Sequence, residues 1–317
     1  MSSSYLQILL SIVPVFGLVG IGVLFRGLRW ITPESDPSIM RLVLNCLYPA
    51  LIFENVLHNE TLRDPANLLS APLAGFLITS GGIIASLNIG RAAGLTQGGG
   101  LRTFAFSSGI NNYSYFALAV CAALYGAQSP AIGLTLVHAT GAETAIWTIG
   151  IFILTGLTLR DGLRKLINGP IIALVLGLAL NLTGQGARIP RPLLEIIHLC
   201  GLCGLTIGII FIGCAIHEYL AKPALLLHPR VTPIALLLRL VIFPLVFLII
   251  AKYLPLTDDM KHVLIVQSAM PAGMFPLAIA KHYNGRPLTA AQVIVSTTAL
   301  GVLTIPLWVK LGTAWVF

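Results

Sequence analysis

Two stretches half a chain apart decide the fold: residues 107–119 read SSGINNYSYFALA, and residues 267–279 read QSAMPAGMFPLAI. Aligning the chain with itself lays Asn111 of the first stretch on Pro271 of the second. Both stretches have a polar or proline-containing middle within an apolar run, and both lead into a glycine-containing loop. We interpret them as corresponding helices of two repeats.

The chain around these stretches is unusually apolar. Of its 317 residues, 56% are hydrophobic and only 9% are charged, and the mean hydropathy is +0.92, whereas about a quarter of the residues in a soluble domain are charged. This composition excludes an ordinary soluble enzyme and indicates a polytopic membrane protein. The formal charge of +8 comes from basic residues scattered singly near the ends of apolar runs. Such residues orient helices in a bilayer, so no nucleic-acid partner is expected.

Apolar runs separated by Gly, Pro and charged residues predict ten transmembrane helices. A span needs about 20 residues, so a chain of this length has room for about ten spans with short loops. Prolines inside several spans are expected to kink or break the helices, because neighbouring helices can satisfy the freed carbonyl groups. The predicted spans are residues 5–25, 38–58, 70–90, 102–125, 130–157, 167–183, 192–216, 232–253, 261–283 and 288–315.

The two similar stretches fall in the fourth and ninth spans, which predicts two five-helix repeats. We assign residues 1–157 to the first repeat, 158–166 to a short cytoplasmic linker and 167–317 to the second repeat. Because five is odd, the second repeat must cross the membrane in the opposite sense, as in many secondary transporters that hold substrate between broken helices. The loops on one side hold eleven Lys or Arg residues against six on the other. This bias predicts that both termini lie outside the cytoplasm.

Residues in the middle of the fourth and ninth spans are the predicted substrate-binding residues. An amide in hydrocarbon needs a partner, and two adjacent asparagines do not share a helical face, which favours a substrate over a neighbouring helix as that partner. In the ninth span, prolines and a glycine expose backbone groups, and a half-helix N-terminus there would attract an anion. The predicted substrate-binding residues are Asn111, Asn112, Tyr113, Ser114, Gln267, Pro271, Ala272, Gly273 and Met274.

The fifth span contains two candidate coupling residues, His138 and Glu143. Five residues separate them by about 140° around a helix, so they do not form a metal-binding pair. A carboxyl group in the membrane is a functional candidate, and we predict that Glu143 couples proton movement to transport; a neutral structural role is the alternative. His138 aligns with Ser296, where a hydroxyl bonded back to a helix carbonyl is the favoured interpretation.

No catalytic or nucleotide-binding fingerprint occurs in a suitable context, so we expect neither an enzyme nor a cofactor or metal site.

The sequence resembles the auxin efflux carrier family of membrane transporters. The resemblance rests on LNCLYPALIF at residues 44–53, NYSYFA at 112–117, MPAGMFP at 270–276 and IPLW at 305–308, and it spans essentially the whole chain. It implies an all-α integral membrane protein whose fourth and ninth helices are broken where they cross. It also implies a transport subdomain that moves against a scaffold in an elevator-like way. Family members usually have a proline shortly after the asparagine of the fourth span, and this chain lacks it.

The plant exporters also carry a long loop after the fifth span, so this chain looks like a compact bacterial member of the inner membrane. The resemblance therefore implies a secondary transporter of small carboxylates such as malate or malonate, driven by protons or the membrane potential. Its expected partners are a small organic anion, the lipid bilayer and, by resemblance, a second copy in a homodimer. Two alternatives stay open: a cation/proton antiporter of related architecture, and a non-transporting membrane sensor that binds the same ligand.

Overall fold

The computed structural model describes residues 5–155, 168–220, 226–282 and 285–317, and these residues are almost entirely helical. The predicted linker 158–166 lies outside the described residues. The helices are α1 (Tyr5–Gly27), α2 (Pro33–Leu57), α3 (Pro65–Ala92), α4a (Leu101–Gly109), α4b (Tyr115–Tyr125), α5 (Pro130–Thr155), α6 (Gly169–Leu182), α7 (Arg191–Leu220), α8 (Val231–Tyr253), α9a (Asp258–Ala269), α9b (Phe275–His282) and α10 (Pro287–Val316).

Seven helices in the described part of the chain are long and apolar enough to cross a membrane, namely α1, α2, α3, α5, α7, α8 and α10. Helix α6 is apolar but has only 14 residues, and α4 and α9 are each interrupted in the middle. Each predicted span coincides with helical residues to within a few positions. An all-helical, multi-pass membrane protein is therefore confirmed, whereas the number of crossings and the inverted topology stay predictions.

Two of the prolines within the long helices follow a local change of helix type, whereas Pro14, Pro72 and Pro306 lie within regular α-helix. π-helical turns at Val43–Leu47 in α2 and Leu238–Ile242 in α8 each end two residues before a proline, Pro49 and Pro244 respectively. A proline ring removes one N–H donor and crowds the carbonyl group four residues earlier. The wider π turn leaves room for the ring without ending the helix.

Two helix pairs approach each other closely through glycine. In the α1–α7 pair, a Cβ atom at Gly213 would lie 2.0 Å from the carbonyl oxygen of Val19. In the α3–α5 pair, a Cβ atom at Gly141 would lie 1.8 Å from the carbonyl oxygen of Pro72. Small residues let helix backbones meet in this way in membranes, and packing of this density makes each pair behave as one rigid unit.

The helices fall into two groups by their contacts. Helices α1, α2, α6 and α7 pack on one another, and α3, α4a, α5, α8, α9a and α10 form the second group. Helix α4b contacts both, since it touches α1 and α7 as well as α5 and α9a, and the two groups also touch directly where α1 packs on α10 and α2 packs on α5. The outer surface is apolar, as lipid contact requires, with exposed side chains that include Leu6, Leu69, Val175, Leu199 and Leu303.

Candidate functional site

The breaks in α4 and α9 cross each other in the protein interior. Residues 110–114 separate α4a from α4b, and residues 270–274 separate α9a from α9b. Where they meet, Asn111 and Ala272 form a short antiparallel β-bridge. The crossing therefore brings the two predicted segments together, half a chain apart in sequence.

Two backbone hydrogen bonds hold the crossing. The N–H of Asn112 donates to the carbonyl oxygen of Pro271 at 2.8 Å, and the N–H of Gly273 donates to that of Ile110 at 2.9 Å. Each break thus satisfies backbone groups that the other break has released from its helix. This explains why α4 is interrupted without a proline in the break.

A glycine and a threonine complete the crossing. A Cβ atom at Gly273 would lie only 2.8 Å from the carbonyl oxygen of Asn111, so the close approach requires glycine. The N–H of Ala272 donates to Oγ1 of Thr297 on α10 at 3.1 Å. The Thr297 hydroxyl also donates to the carbonyl oxygen of Val293 at 2.8 Å, and this single side chain therefore anchors the ninth-span break to α10.

The amides of Asn111 and Gln267 are used within the protein. Nδ2 of Asn111 donates to Oε1 of Gln267 at 2.6 Å, and Nε2 of Gln267 donates to the carbonyl oxygen of Tyr113 at 3.0 Å. Both side chains are buried, with exposed fractions of 2% and 0%. They tie the C-terminal end of α9a to the break in α4, and their predicted contact with substrate stays a prediction.

The amide of Asn112 is differently placed. The backbone of Ile110 is extended, with φ −103° and ψ 118°, and Asn111 pairs as in a β-bridge, so successive side chains point to opposite sides. Across the described ranges, no hydrogen-bond partner of the Asn112 side chain is present, although only 7% of the residue is exposed. Of the two adjacent asparagines, Asn112 is the one with an amide available to a ligand.

A tyrosine and a glycine from the first helix group cover the α4 break. The hydroxyl groups of Tyr48 on α2 and Ser114 form a hydrogen bond, and the rings of Tyr48 and Tyr115 lie 4.6 Å apart. A Cβ atom at Gly208 of α7 would lie 2.6 Å from the Tyr115 ring. The Tyr115 hydroxyl is buried without a hydrogen-bond partner among the described residues. Ser114 is therefore surrounded by phenol and hydroxyl groups.

Two half-helices begin at the crossing. At the start of α4b, the N–H of Leu118 donates to the carbonyl oxygen of Ser114 at 2.8 Å. At the start of α9b, the N–H of Leu277 donates to the carbonyl oxygen of Met274 at 3.1 Å. The N–H groups in the first turn of each helix lack intrahelical acceptors. Both helices therefore direct positive dipole ends toward the crossing, where half-buried Met274 also lies.

The predicted coupling residues occupy different environments on α5. Glu143 is half-buried and close enough to Tyr48, Tyr113 and Tyr115 to interact with their hydroxyl groups electrostatically. Its carboxylate has neither a hydrogen bond nor an ion pair in the part of the chain that the structure describes. His138 is fully buried, and neither ring nitrogen has a hydrogen-bond partner among those residues. The structure thus brings Glu143, but not His138, to the tyrosines beside the crossing.

Sequence reasoning missed contributions from Tyr48, Tyr115 and Thr297. Tyr48 lies in the segment 44–53, which carries the family resemblance, and this motif is the feature of the sequence that could have indicated its role. Ser296 donates to the carbonyl oxygen of Gln292 at 2.6 Å, which confirms the predicted bond back to the helix. Thr297 makes the same kind of bond and also accepts from the ninth-span break, which only the three-dimensional contact reveals.

Comparison with known families identifies the chain. A family profile described as "Membrane transport protein" matches residues 7–159 and 155–309, which together cover most of the sequence. No curated protein matches the chain significantly. The resemblance to the auxin efflux carriers is confirmed, and the chain belongs to the membrane transport protein family that includes them.

Proposed function

We propose that this membrane transport protein is a secondary transporter of small organic anions, with its binding site at the crossing. The observation that carries the proposal is the unpaired amide of Asn112 beside the N-terminal ends of α4b and α9b. A carboxylate accepts hydrogen bonds only, and the amide Nδ2 group together with the backbone N–H groups of the half-helices supplies donors only.

A site built from neutral donors suits a carrier that must release its substrate. Charge-assisted hydrogen bonds from backbone N–H and amide groups to a carboxylate are strong in a partly dry site. No cationic side chain takes part in these bonds, so departure of the anion does not leave a charged binding group without its partner. The hydroxyl pair of Tyr48 and Ser114 offers a further donor at the edge of the same space.

The proposed transport cycle moves one helix group against the other. The scaffold consists of α1, α2, α6 and α7, and the transport subdomain consists of α3, α4, α5, α8, α9 and α10. Close glycine contacts lie within each group, at Gly213 in the scaffold and at Gly141 in the transport subdomain, and the contact of Gly133 on α5 with Asn55 and Asn59 lies between the groups and would be exchanged in the movement. An elevator-like displacement then carries the crossing past Tyr48 and Gly208, which cover it in the present conformation.

The same proposal includes the predicted topology. Ten crossings in two inverted five-helix repeats place both termini outside the cytoplasm of a bacterial inner membrane, and the scaffold helices form a homodimer. The two segments of the family match meet at residues 155–159, close to the proposed boundary between the repeats. Cysteine labelling with a membrane-impermeant reagent at both ends of the chain tests the orientation.

Glu143 is the proposed coupling group. A carboxylate that is half-buried and has no partner in the described part of the protein can take up and release a proton without breaking an ion pair. It lies near the tyrosines that line the substrate space, so its charge and that of a bound anion repel each other. Protonation of Glu143 would therefore favour anion binding, and this links the two movements. His138 is the second, weaker coupling candidate because it has no such contact with the site.

Uptake into proteoliposomes tests the proposal. We expect saturable uptake of one of labelled malate, malonate, a monocarboxylate or an indole acid, with a response to an imposed pH gradient or membrane potential. Asn112→Ala should abolish uptake in folded protein. Asn45→Ala is the matched control, because the Asn45 amide is exposed and bonds only to its own helix at Arg41. Wild-type uptake by Asn112→Ala would refute the site.

Glu143 also gives one specific reason to test a second function, cation/proton antiport, since an intramembrane carboxylate can bind a cation. Proton release on addition of Na⁺ or K⁺, without uptake of any acid, would favour antiport over anion transport. Ligand binding to the purified protein without uptake under any gradient would favour the sensor.

A further inference from the structure

Arg239 is a buried cation in the middle of α8. It is the ninth residue of the helix, about 12 Å along the axis from Val231, and only 1% of it is exposed, so it does not extend to the lipid headgroups. Its Nη1 donates to the carbonyl oxygen of Ser108 at 3.4 Å, and its guanidinium lies 4.9 Å from the centre of the Phe243 ring. Nε and Nη2 have no hydrogen-bond partner among the described residues.

These contacts do not balance the charge. The ion pairs within the described ranges join Arg26 to Asp36, His198 to Glu54 and Lys261 to Asp258, and none includes Arg239. The carbonyl group at the C-terminal end of α4a carries a partial negative charge. However, the distance of 3.4 Å between Nη1 of Arg239 and the carbonyl oxygen of Ser108 exceeds the usual N–H···O hydrogen-bond range of about 2.7–3.2 Å. A cation at this depth is costly without a counter-ion.

Arg239 is one of the residues that line a cavity of about 320 Å³. Its walls come from α3, α8 and the start of the α4 break, and include Thr79, Asn111 and Phe247. Leu77 and Val246, which also line it, are 56% and 42% exposed on the outer apolar surface, so the cavity opens toward the lipid. No described residue of α1, α2 or α7 lines it. Tyr48, Ser114 and Tyr115, which lie beside the proposed transport site, are not among its lining residues.

We propose that this cavity binds an amphipathic carboxylic acid that enters from the bilayer. Nε and Nη2 form one edge of the guanidinium, and two parallel N–H donors on that edge match the two oxygens of a carboxylate. The apolar body of the acid packs against Phe243, Phe247 and Leu77. The volume is at the lower end of the range for small-molecule pockets, about 300–1,000 Å³, which suits a medium-chain or single-ring acid.

Such a ligand would touch the crossing from the side opposite the proposed transport site. The carboxylate would lie beside Arg239, whose Nη1 holds Ser108, and beside Asn111, which lines the same cavity. An anion here neutralises the guanidinium and so stabilises the arrangement of α8 against the α4 break. Occupancy is thus expected to raise the Tm of the protein.

Photolabelling tests this site without any measurement of transport. The protein in nanodiscs is exposed to decanoic acid that carries a diazirine, and labelled peptides are mapped by mass spectrometry. We expect labels within residues 77–82 or 243–250, competition by decanoate, and no competition by decanol or decylamine. Arg239→Gln should reduce labelling by about tenfold or more, since it removes a charge-assisted bidentate contact.

A second variant keeps the test informative if Arg239→Gln fails to fold. A Cβ atom at Gly81 would have nothing within 4 Å, so Gly81→Leu should fold normally while filling the cavity, and it should also abolish labelling. Asn112→Ala should label like the wild type, which separates this site from the proposed transport site.

Competition by benzoate added from water would indicate an aqueous source for the acid, and competition by decanoate alone would indicate the bilayer. Equal labelling of the wild type, Arg239→Gln and Gly81→Leu would overturn the proposal, as would equal competition by decanol. Arg239 would then serve only the C-terminal end of α4a.

Discussion

Two amides in one crossing should respond to alanine substitution in opposite ways. Gln267 accepts a hydrogen bond from Asn111 at 2.6 Å and donates one to the carbonyl oxygen of Tyr113 at 3.0 Å, all within the buried interior. The side chain of Asn112 has no partner in the described part of the chain. We therefore expect Gln267→Ala to damage stability, and Asn112→Ala to damage binding and uptake with little effect on stability.

The magnitude follows from the groups left behind. Gln267→Ala removes two hydrogen bonds. It leaves the buried carbonyl group of Tyr113 without a partner, and it leaves Nδ2 of Asn111 only its longer bond, 3.3 Å, to the backbone carbonyl oxygen of residue 267. One buried polar group left unsatisfied costs about 1–3 kcal/mol, and this is the expected loss. Asn112→Ala leaves no protein group unsatisfied, and its expected cost is within about 0.5 kcal/mol.

Thermal unfolding in detergent and uptake into proteoliposomes separate the two effects. Gln267→Ala should show a clearly lower Tm, whereas Asn112→Ala should match the Tm of the wild type and of Asn45→Ala. Uptake per folded molecule should be lost in Asn112→Ala. A Tm loss in Asn112→Ala as large as that in Gln267→Ala, with binding retained, would refute the assignment of structural and ligand-binding roles.

Substitutions at three further positions test the crossing and its coupling. Gly273→Ala should lower the Tm by overpacking at a cost of about 1–3 kcal/mol, because its Cβ would lie 2.8 Å from the carbonyl oxygen of Asn111; an unchanged Tm would contradict that close contact. Thr297→Val should lower the Tm by leaving the N–H of Ala272 without its acceptor, and Thr297→Ser should not; equal Tm values for both variants would exclude this anchoring role. Glu143→Gln should bind the acid but take it up independently of an imposed pH gradient, and uptake that still follows the gradient would remove Glu143 from coupling.

The helices could be predicted from the sequence because apolar length is a local property. Runs of about 20 apolar residues must satisfy their backbone groups internally, so they become helices whatever their neighbours are. The break at Pro271 could be predicted for the same reason, since proline cannot continue the hydrogen-bond ladder. The break after Gly109 has no such local cause, and its prediction depended on its similarity to the ninth span.

The different roles of Asn111, which bonds within the protein, and Asn112, whose amide has no partner among the described residues, could not be predicted from the sequence. In a helix the two side chains would lie about 100° apart, but the β-bridge to Ala272 makes the backbone extended and turns them to opposite sides. That conformation depends on the segment around Pro271, which lies 160 positions after Asn111 in the chain. Arg239 is a similar case, because only the packing of α8 on the α4 break shows that its charge is unpaired.

The hydrogen bonds of the crossing also bear on how the protein can move. The bonds from Asn112 to Pro271 and from Gly273 to Ile110 lie in the buried interior, where breaking either one exposes backbone groups that neither lipid nor water can satisfy. Opening the site by pulling the two breaks apart would therefore be costly. Moving the crossing as one body keeps both backbone bonds and instead exchanges contacts between the two helix groups, which include those of Tyr48 and Gly208 and the α1–α10 and α2–α5 contacts. Because no buried backbone bond is broken, an elevator-like displacement is favoured over local gating at the crossing.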